Sequence, residues 1–220
     1  MSFIQETIAY SQDIWDECLA SPFVQEIKDT TLPMEKFKEY MIQDSIYLKN
    51  YAKVFGGAIY HATTLKEIQM YYSSLAYVND TESTVRTNYL KRFGITDDEI
   101  ELIKPEPENK NYIDFMMAYA AKGNQPEILM ATMPCLLSYI YIFKIVAKED
   151  IIYGSPFEEF VSEYLGERID KVSKQWYDFV DEKCDNLPKQ EKVKLMEIFR
   201  EGSRLELEFW KMAYRGKSDE

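Results

Sequence analysis

Histidine is almost missing from this chain: His61 is the single copy among 220 residues, and no Glu-x-x-His pair exists. Haem and di-iron sites draw on histidine ligands, so oxygenase chemistry of either kind has no ligand set here. His61 stands before Ala62 and Thr63 and reads as an ordinary helix-terminal residue. Cysteine is scarce, and its three copies, Cys18, Cys135 and Cys184, are widely spaced. An odd, scattered set fits neither a disulfide framework nor a paired-cysteine zinc site, and reduced thiols are the default. Basic residues are outnumbered, 26 against 38 acidic, for a formal net charge of -12. That balance, with no Lys/Arg cluster to override it, repels phosphate backbones and acidic lipid headgroups. Neither a nucleic acid nor a membrane is expected as a partner, and a transcriptional regulator finds no basic recognition helix. The most apolar run, Ile128 to Phe143, is interrupted by Thr132, Pro134 and Ser138 and falls short of the about 18 residues a span needs. It reads as a buried core helix. Met1 to Tyr10 carries Glu6 and no basic region ahead of an apolar one, so a secretory signal is not expected and the cytoplasm is.

What is present is helical spacing in nearly every segment, with no alternating β-branched run bounded by hairpin signals. The spacing predicts an all-α, multi-helix bundle in a single domain over residues 1–220, long enough at 46% hydrophobic to bury a substantial core. Helices are predicted over Phe3–Ala20, Phe23–Lys28 and, after Thr31, Pro33–His61. One more opens at Thr64 and ends at Gly94. Pro105–Lys110 reads as a loop, followed by helices over Tyr112–Ala121 and Pro126–Ala147. Asp150–Pro156 reads as a linker before helices over Pro156–Leu165, Glu167–Cys184 and Pro188–Tyr214. Residues 216–220 read as a disordered tail.

Polar groups on the apolar faces mark where chemistry could lie. Phe37, Met41, Asp44, Leu48, Tyr51 and Phe55 follow steps of four and three, a buried stripe with one acid on it. A buried carboxylate costs several kcal/mol unless it is paired, hydrogen-bonded or held against a polar ligand. The last helix repeats the pattern with Leu195, Phe199, Gly202, Glu206, Phe209 and Ala213, where Gly202 leaves a gap one turn before the acid. Between them Pro134 breaks the helix rule at a cost of roughly 3 kcal/mol, directly beside Cys135, and Tyr139 shares the thiol's face four residues on. Cys18 follows Ile14 by one turn and reads as a packing residue; Cys184, among Asp181, Glu182, Lys183 and Asp185, reads as a surface thiol. A thiol, two seam acids and a helix break together make a candidate cleft.

These residues fall in motifs that run the length of the chain: Ser21–Pro22–Phe23–Val24–Gln25 with Leu32–Pro33; Gln43–Asp44–Ser45–Ile46–Tyr47–Leu48; Glu127 followed by Met133–Pro134–Cys135 and Tyr139; and Glu206 with Phe209–Trp210–Lys211–Met212–Ala213–Tyr214. In this the chain resembles the TenA family, also called thiaminase II or aminopyrimidine aminohydrolase. The resemblance implies a haem-oxygenase-like all-α fold, a homotetramer, a pyrimidine pocket enclosed by helices, and no metal or organic cofactor. Cys135 places the chain with the family's cysteine branch rather than the branch with an acid at that position. Carried over by motif, Cys135 is the nucleophile, Glu206 the proton donor and acceptor, and Asp44 the anchor for the pyrimidine amino and ring nitrogens. Tyr47, Tyr112, Tyr139 and Tyr164 complete the pocket. Glu82 and then Arg86 depart from the pattern, since many relatives carry histidine near the latter.

The implied reaction converts 4-amino-5-aminomethyl-2-methylpyrimidine to the hydroxymethyl pyrimidine and ammonia, and many relatives also cleave thiamin. A non-catalytic pyrimidine or thiamin carrier of the same fold would keep Asp44 and the aromatic wall without needing Cys135 and Glu206.

Overall fold

A computed structural model describes residues 1–77 and 83–216. Among the described residues every regular element is helical and none is a strand: α1 (Phe3–Tyr10), α2 (Gln12–Leu19), α3 (Pro22–Lys28), α4 (Met34–His61), α5 (Leu65–Tyr77), α6 (Ser83–Phe93), α7 (Asp97–Glu101), α8 (Pro107–Lys122), α9 (Gln125–Val146), α10 (Glu158–Ser162), α11 (Glu167–Cys184) and α12 (Lys189–Arg215). The multi-helix bundle read from the apolar spacing is the observed architecture.

The bundle is organised around α9, which is buried on every side from Glu127 through Pro134. Asn124 caps it, its side-chain oxygen accepting from the Glu127 amide at 3.0 Å, and Pro126 sits in the first turn where a missing N–H costs nothing. The long amphipathic α12 packs along α9 more extensively than any other pair, and α8, α11, α2 and α4 close around it. By length and apolarity α9 could cross a bilayer, but 72% of its most apolar window is buried inside the bundle. Gly123, at φ +73 in the left-handed region, ends α8. A Cβ there would fall 2.6 Å from the His61 ring, so this glycine also lets the end of α4 seat against the α8–α9 turn.

Several boundaries differ from the sequence expectation. The predicted first helix is broken at Ser11 (φ −110, ψ 6), where the Tyr10 carbonyl turns outward to accept from Arg200 of α12. Ser11 stands as the N-cap of α2, its carbonyl accepting from the Ile14 and Trp15 amides. The segment expected as one helix from Thr64 to Gly94 contains α5 and α6, and what joins them, including Glu82, lies outside the described residues. The Pro105–Lys110 loop is shorter than expected, because Pro107 opens α8 at a position that favours proline. Within the linker before α10, Asp150–Ile152 forms one 3-10 turn, and α10 itself covers only part of the predicted Pro156–Leu165 helix. The expected tail lies, beyond Gly216, outside the described residues.

Cys184 is a second correction: it is fully buried rather than a surface thiol, and burial pushes it up to about 12. It lies four and eight residues after Val180 and Trp176, on the apolar stripe of α11, and that spacing outweighs its charged neighbours in sequence. Cys18 is buried as expected.

One buried carboxylate ties the far end of the bundle together. Glu67 accepts from the amides of Thr63 and Thr64 at 2.6 and 3.0 Å, which caps α5, and from Lys183 of α11 at 2.5 Å. Burial pushes this carboxyl up, but the Lys183 and Thr63/Thr64 hydrogen bonds outweigh it and hold it at about 2. Its stabilisation is therefore present above the unfolded carboxylate value near 4.5 and lost as pH falls towards 2. Glu67→Gln should lower stability by about 1.5–3 kcal/mol at neutral pH, from loss of the charged hydrogen bonds, with the deficit closing near pH 2 in denaturant titrations. An equal deficit at both pH values would show that the ion pair is not what holds α5 to α11.

Candidate active site

The proline that breaks the helix rule has a partner. α9 runs without interruption through Pro134, whose ring lies directly over Gly202 of α12: a Cβ added at Gly202 would fall 2.8 Å from Pro134 Cγ and 3.6 Å from the Ala131 carbonyl. Proline supplies no N–H, so α9 lacks one rung of its ladder at this turn. In the same turn the Thr132 carbonyl accepts from the Tyr51 hydroxyl of α4 at 3.0 Å. The close approach puts the residue after the proline, half-buried Cys135, beside the carboxyl one turn after the glycine, Glu206, which is 2% exposed.

Glu206 is hydrogen-bonded by Cys135 and accepts from the Tyr112 hydroxyl at 2.8 Å. Burial pushes its carboxyl up and the two hydrogen bonds pull it back, leaving it at about 8. Tyr47 packs its ring 5.0 Å from that of Tyr112 and places its hydroxyl 3.5 Å from Met116 Sδ. Burial first, then the neighbouring acid and thiol, push Tyr47 and Tyr112 well above the ordinary phenol value, so both are proton donors at neutral pH. α4, α8, α9 and α12 thus each send one group to the same point.

Tyr139, one turn beyond Cys135, forms the adjoining wall. It is buried, its ring lies 5.4 Å from that of Tyr164, and its hydroxyl is 3.2 Å from that of Tyr40. Burial, with the charges of Tyr40, Glu206, Asp44 and Cys135, keeps its proton bound. Asp44 is half-buried, not buried as its place on the α4 stripe predicts, because the stripe opens there onto a small cavity shared with Arg86, Glu163 and Tyr164. Arg86 donates to the Ser45 hydroxyl at 3.2 Å and pairs with Asp97 at 3.3 Å, so it fixes α6 against α4 at the residue next to Asp44. Glu127, from the same motif as Cys135, pairs instead with Lys194 on the outer side of α9 and takes no part.

Of the sequence-derived residues, Cys135, Glu206, Tyr112 and Tyr47 form one hydrogen-bonded and packed group, Asp44 and Tyr164 line the small cavity beside Arg86, and Tyr139, one turn from Cys135, packs on Tyr164. Tyr51, on the predicted α4 stripe, reaches this region through its bond to the Thr132 carbonyl, whereas the sequence reading assigns nothing to Tyr40, which lies one turn along α4 from Asp44, the available signal. Among the described residues no three His, Cys, Asp or Glu side chains gather in a way that could hold a metal ion.

The profile of the TENA/THI-4/PQQC family matches residues 9–216. The chain is 33% identical over 218 residues to the aminopyrimidine aminohydrolase of Halalkalibacterium halodurans, covering 97% of this chain and 96% of that one. Among solved structures, a TenA homologue from P. horikoshii OT3 superposes with a TM-score of 0.88 at 28% identity, over 99% of this chain and all of that one. A domain of unknown function with a heme oxygenase-like fold from Shewanella denitrificans OS217 superposes at 0.74, covering 96% of this chain and 92% of that one. At 16% identity it is similar in fold alone.

Two measurements probe this geometry. Gly202→Ala forces Pro134 or α12 to move, and should destabilise by about 1–3 kcal/mol of overpacking despite alanine's better helix propensity. An unchanged midpoint of thermal or denaturant unfolding would mean that the contact has slack. Glu206 keeps in the folded state, up to about pH 8, a proton the unfolded chain releases near 4.5. Its contribution to stability therefore falls by about 1.4 kcal/mol per pH unit through that window. Glu206→Gln should gain on the parent between pH 5 and pH 8 in paired melting curves, and parallel curves would place the Glu206 titration near its unfolded value.

Proposed function

The chain belongs to the TENA/THI-4/PQQC family, and from that premise we propose that it is an aminopyrimidine aminohydrolase of thiamin metabolism working through Cys135. The substrate is 4-amino-5-aminomethyl-2-methylpyrimidine, the products are the hydroxymethyl pyrimidine and ammonia, and thiamin is a second candidate substrate. The observation that carries the reading is the hydrogen-bonded line Tyr112–Glu206–Cys135, a nucleophile joined to a buried acid that also accepts from a phenol hydroxyl. A passive binding pocket has no need of that arrangement.

In this reading Asp44 holds the flat ring through its amino group and ring nitrogen, while Tyr139 and Tyr164 enclose it. The Cys135–Glu206 pair reacts in the form that carries one proton, as thiolate and carboxylic acid. The thiolate adds to the ring carbon beside the one bearing the aminomethyl group. The displaced π pair forms the exocyclic C=CH2 bond, the C–N bond breaks, and Glu206 gives its proton to the departing amine. Water then adds to the methylene carbon and yields a proton to the Glu206 carboxylate, the pair returns to the ring, and the C–S bond breaks. The sum is amine plus water to alcohol plus ammonia. A Glu206 carboxyl near 8 suits both directions of transfer at neutral pH. With the family premise go a single domain, a homotetramer and a cytoplasmic location as parts of the same proposal.

The deciding assay measures hydroxymethyl pyrimidine release from the aminomethyl pyrimidine and from thiamin, side by side with Cys135→Ser. Turnover of the first substrate, lost by at least 10³-fold in the variant with pyrimidine binding retained, is the expected outcome. Binding of either compound with no turnover by the parent protein would point instead to a carrier.

A further inference from the structure

One buried contact beneath the site has no task in that mechanism. Tyr40 of α4 is 1% exposed, and its hydroxyl lies 3.2 Å from that of Tyr139. The Trp210 indole, fully buried, is stacked on both rings: at 4° and 5.7 Å on Tyr40, and at 29° and 4.8 Å on Tyr139. Around Tyr40 the rings of Phe23, Phe37 and Phe160 stand 5.2, 5.9 and 5.5 Å away, so its ring cannot swing. Two phenols from different helices are thus clamped by one indole with their hydroxyls in contact.

We propose that Tyr40 is a positioning residue that aims the Tyr139 proton into the pocket. The proposal rests on the cysteine-hydrolase reading above for what Tyr139 serves. A phenol hydroxyl has a single proton, and among fixed neighbours its direction follows from theirs. The groups that act electrostatically on Tyr139 are Tyr40 and Asp44 of α4, Cys135 on its own helix and Glu206 of α12, and Tyr164 packs beside it. When Tyr40 donates to the Tyr139 oxygen, the Tyr139 proton is free to point at the anionic side, where the Cys135 thiolate and the developing charge of the ring adduct form. A donor already accepting a hydrogen bond is polarised and donates more strongly. Tyr40 acts through the Tyr139 hydroxyl it contacts.

The test compares the parent protein with Tyr40→Phe, Tyr139→Phe and the double variant, reading kcat and KM for the aminomethyl pyrimidine and the rate of Cys135 alkylation by iodoacetamide at pH 7. Cys18 and Cys184 are buried, and Cys135→Ser gives the background. Phenylalanine keeps the Trp210 stack, and melting curves check that both single variants are folded. Tyr40→Phe is expected to lower kcat roughly 5- to 20-fold with KM within about twofold, the loss of one hydrogen bond felt in the transition state. It should slow alkylation by a similar factor, and the double variant should be no slower than Tyr139→Phe alone. Parent-like kcat and alkylation in Tyr40→Phe, or losses that simply multiply in the double variant, would overturn the proposal. If the parent turns over no pyrimidine, the hydrolase reading fails, and alkylation alone still decides whether Tyr40 acts on the thiol through Tyr139.

Discussion

The contact on which the site depends is the seat of Pro134 on Gly202. Two long helices can pack this closely only where one has no side chain, and here the space left by a glycine is filled by a ring that has already given up a backbone hydrogen bond. Both irregularities are costly alone and complementary together. Because Cys135 follows the proline directly and Glu206 follows the glycine by one turn, the contact sets the distance between thiol and carboxyl. The Tyr51 bond to the Thr132 carbonyl ties the same stretch of α9 to α4.

Once thiol and acid are held together inside the bundle, the location of protons is decided by what surrounds them. Burial favours the neutral carboxyl, and donation from Tyr112 and Cys135 favours the ionised one; the balance near 8 comes from opposition and not from either effect alone. Tyr47, Tyr112 and Tyr139 are pushed far above neutrality and remain donors. The pocket therefore offers one exchangeable acid, one soft nucleophile and a wall of hydroxyls that keep their protons. In the proposed reaction, that division would let charge develop on sulfur and on the ring without the phenols losing their own protons. Removing Tyr112 would shift the balance at Glu206 as well as deleting a contact.

Much of this was legible in the chain because the relevant signals are periodic and local. The apolar steps along α4 and α12 placed Asp44 and Glu206 on inward faces, and the misplaced proline pointed at Cys135. What was not legible depends on partners distant in sequence. At the Ser11 break Arg200 of α12 takes the Tyr10 carbonyl, and Tyr40 matters because Trp210 stacks it against Tyr139. Cys184 is a different failure: its i−4 and i−8 neighbours were apolar, and the charged residues beside it in sequence were given more weight than the face it shares. Asp44 was placed on the right stripe, but the stripe's opening into a cavity follows from how α6 and α10 dock, which one helix's pattern cannot contain.

The distribution of cost across the molecule follows from these constraints. Near Cys135 the protein holds a proline inside a helix, a glycine inside another, and a carboxyl whose proton the unfolded chain would release. At the opposite end Glu67 is buried too, yet it is ionised, capped and paired with Lys183, so its burial stabilises where that of Glu206 costs. Two buried acids in one bundle thus have opposite signs of contribution as pH rises. The difference lies in the donors: a full set of cationic and backbone donors makes Glu67 an anchor, and a sparse set of weak, shared ones leaves Glu206 able to change state. An acid that gives and takes a proton within one turnover, as the proposed reaction asks of Glu206, cannot be fully satisfied in either form, and the remainder of the fold, with its aromatic clamp around Trp210 and its ion-paired outer helices, supplies the stability that this requires.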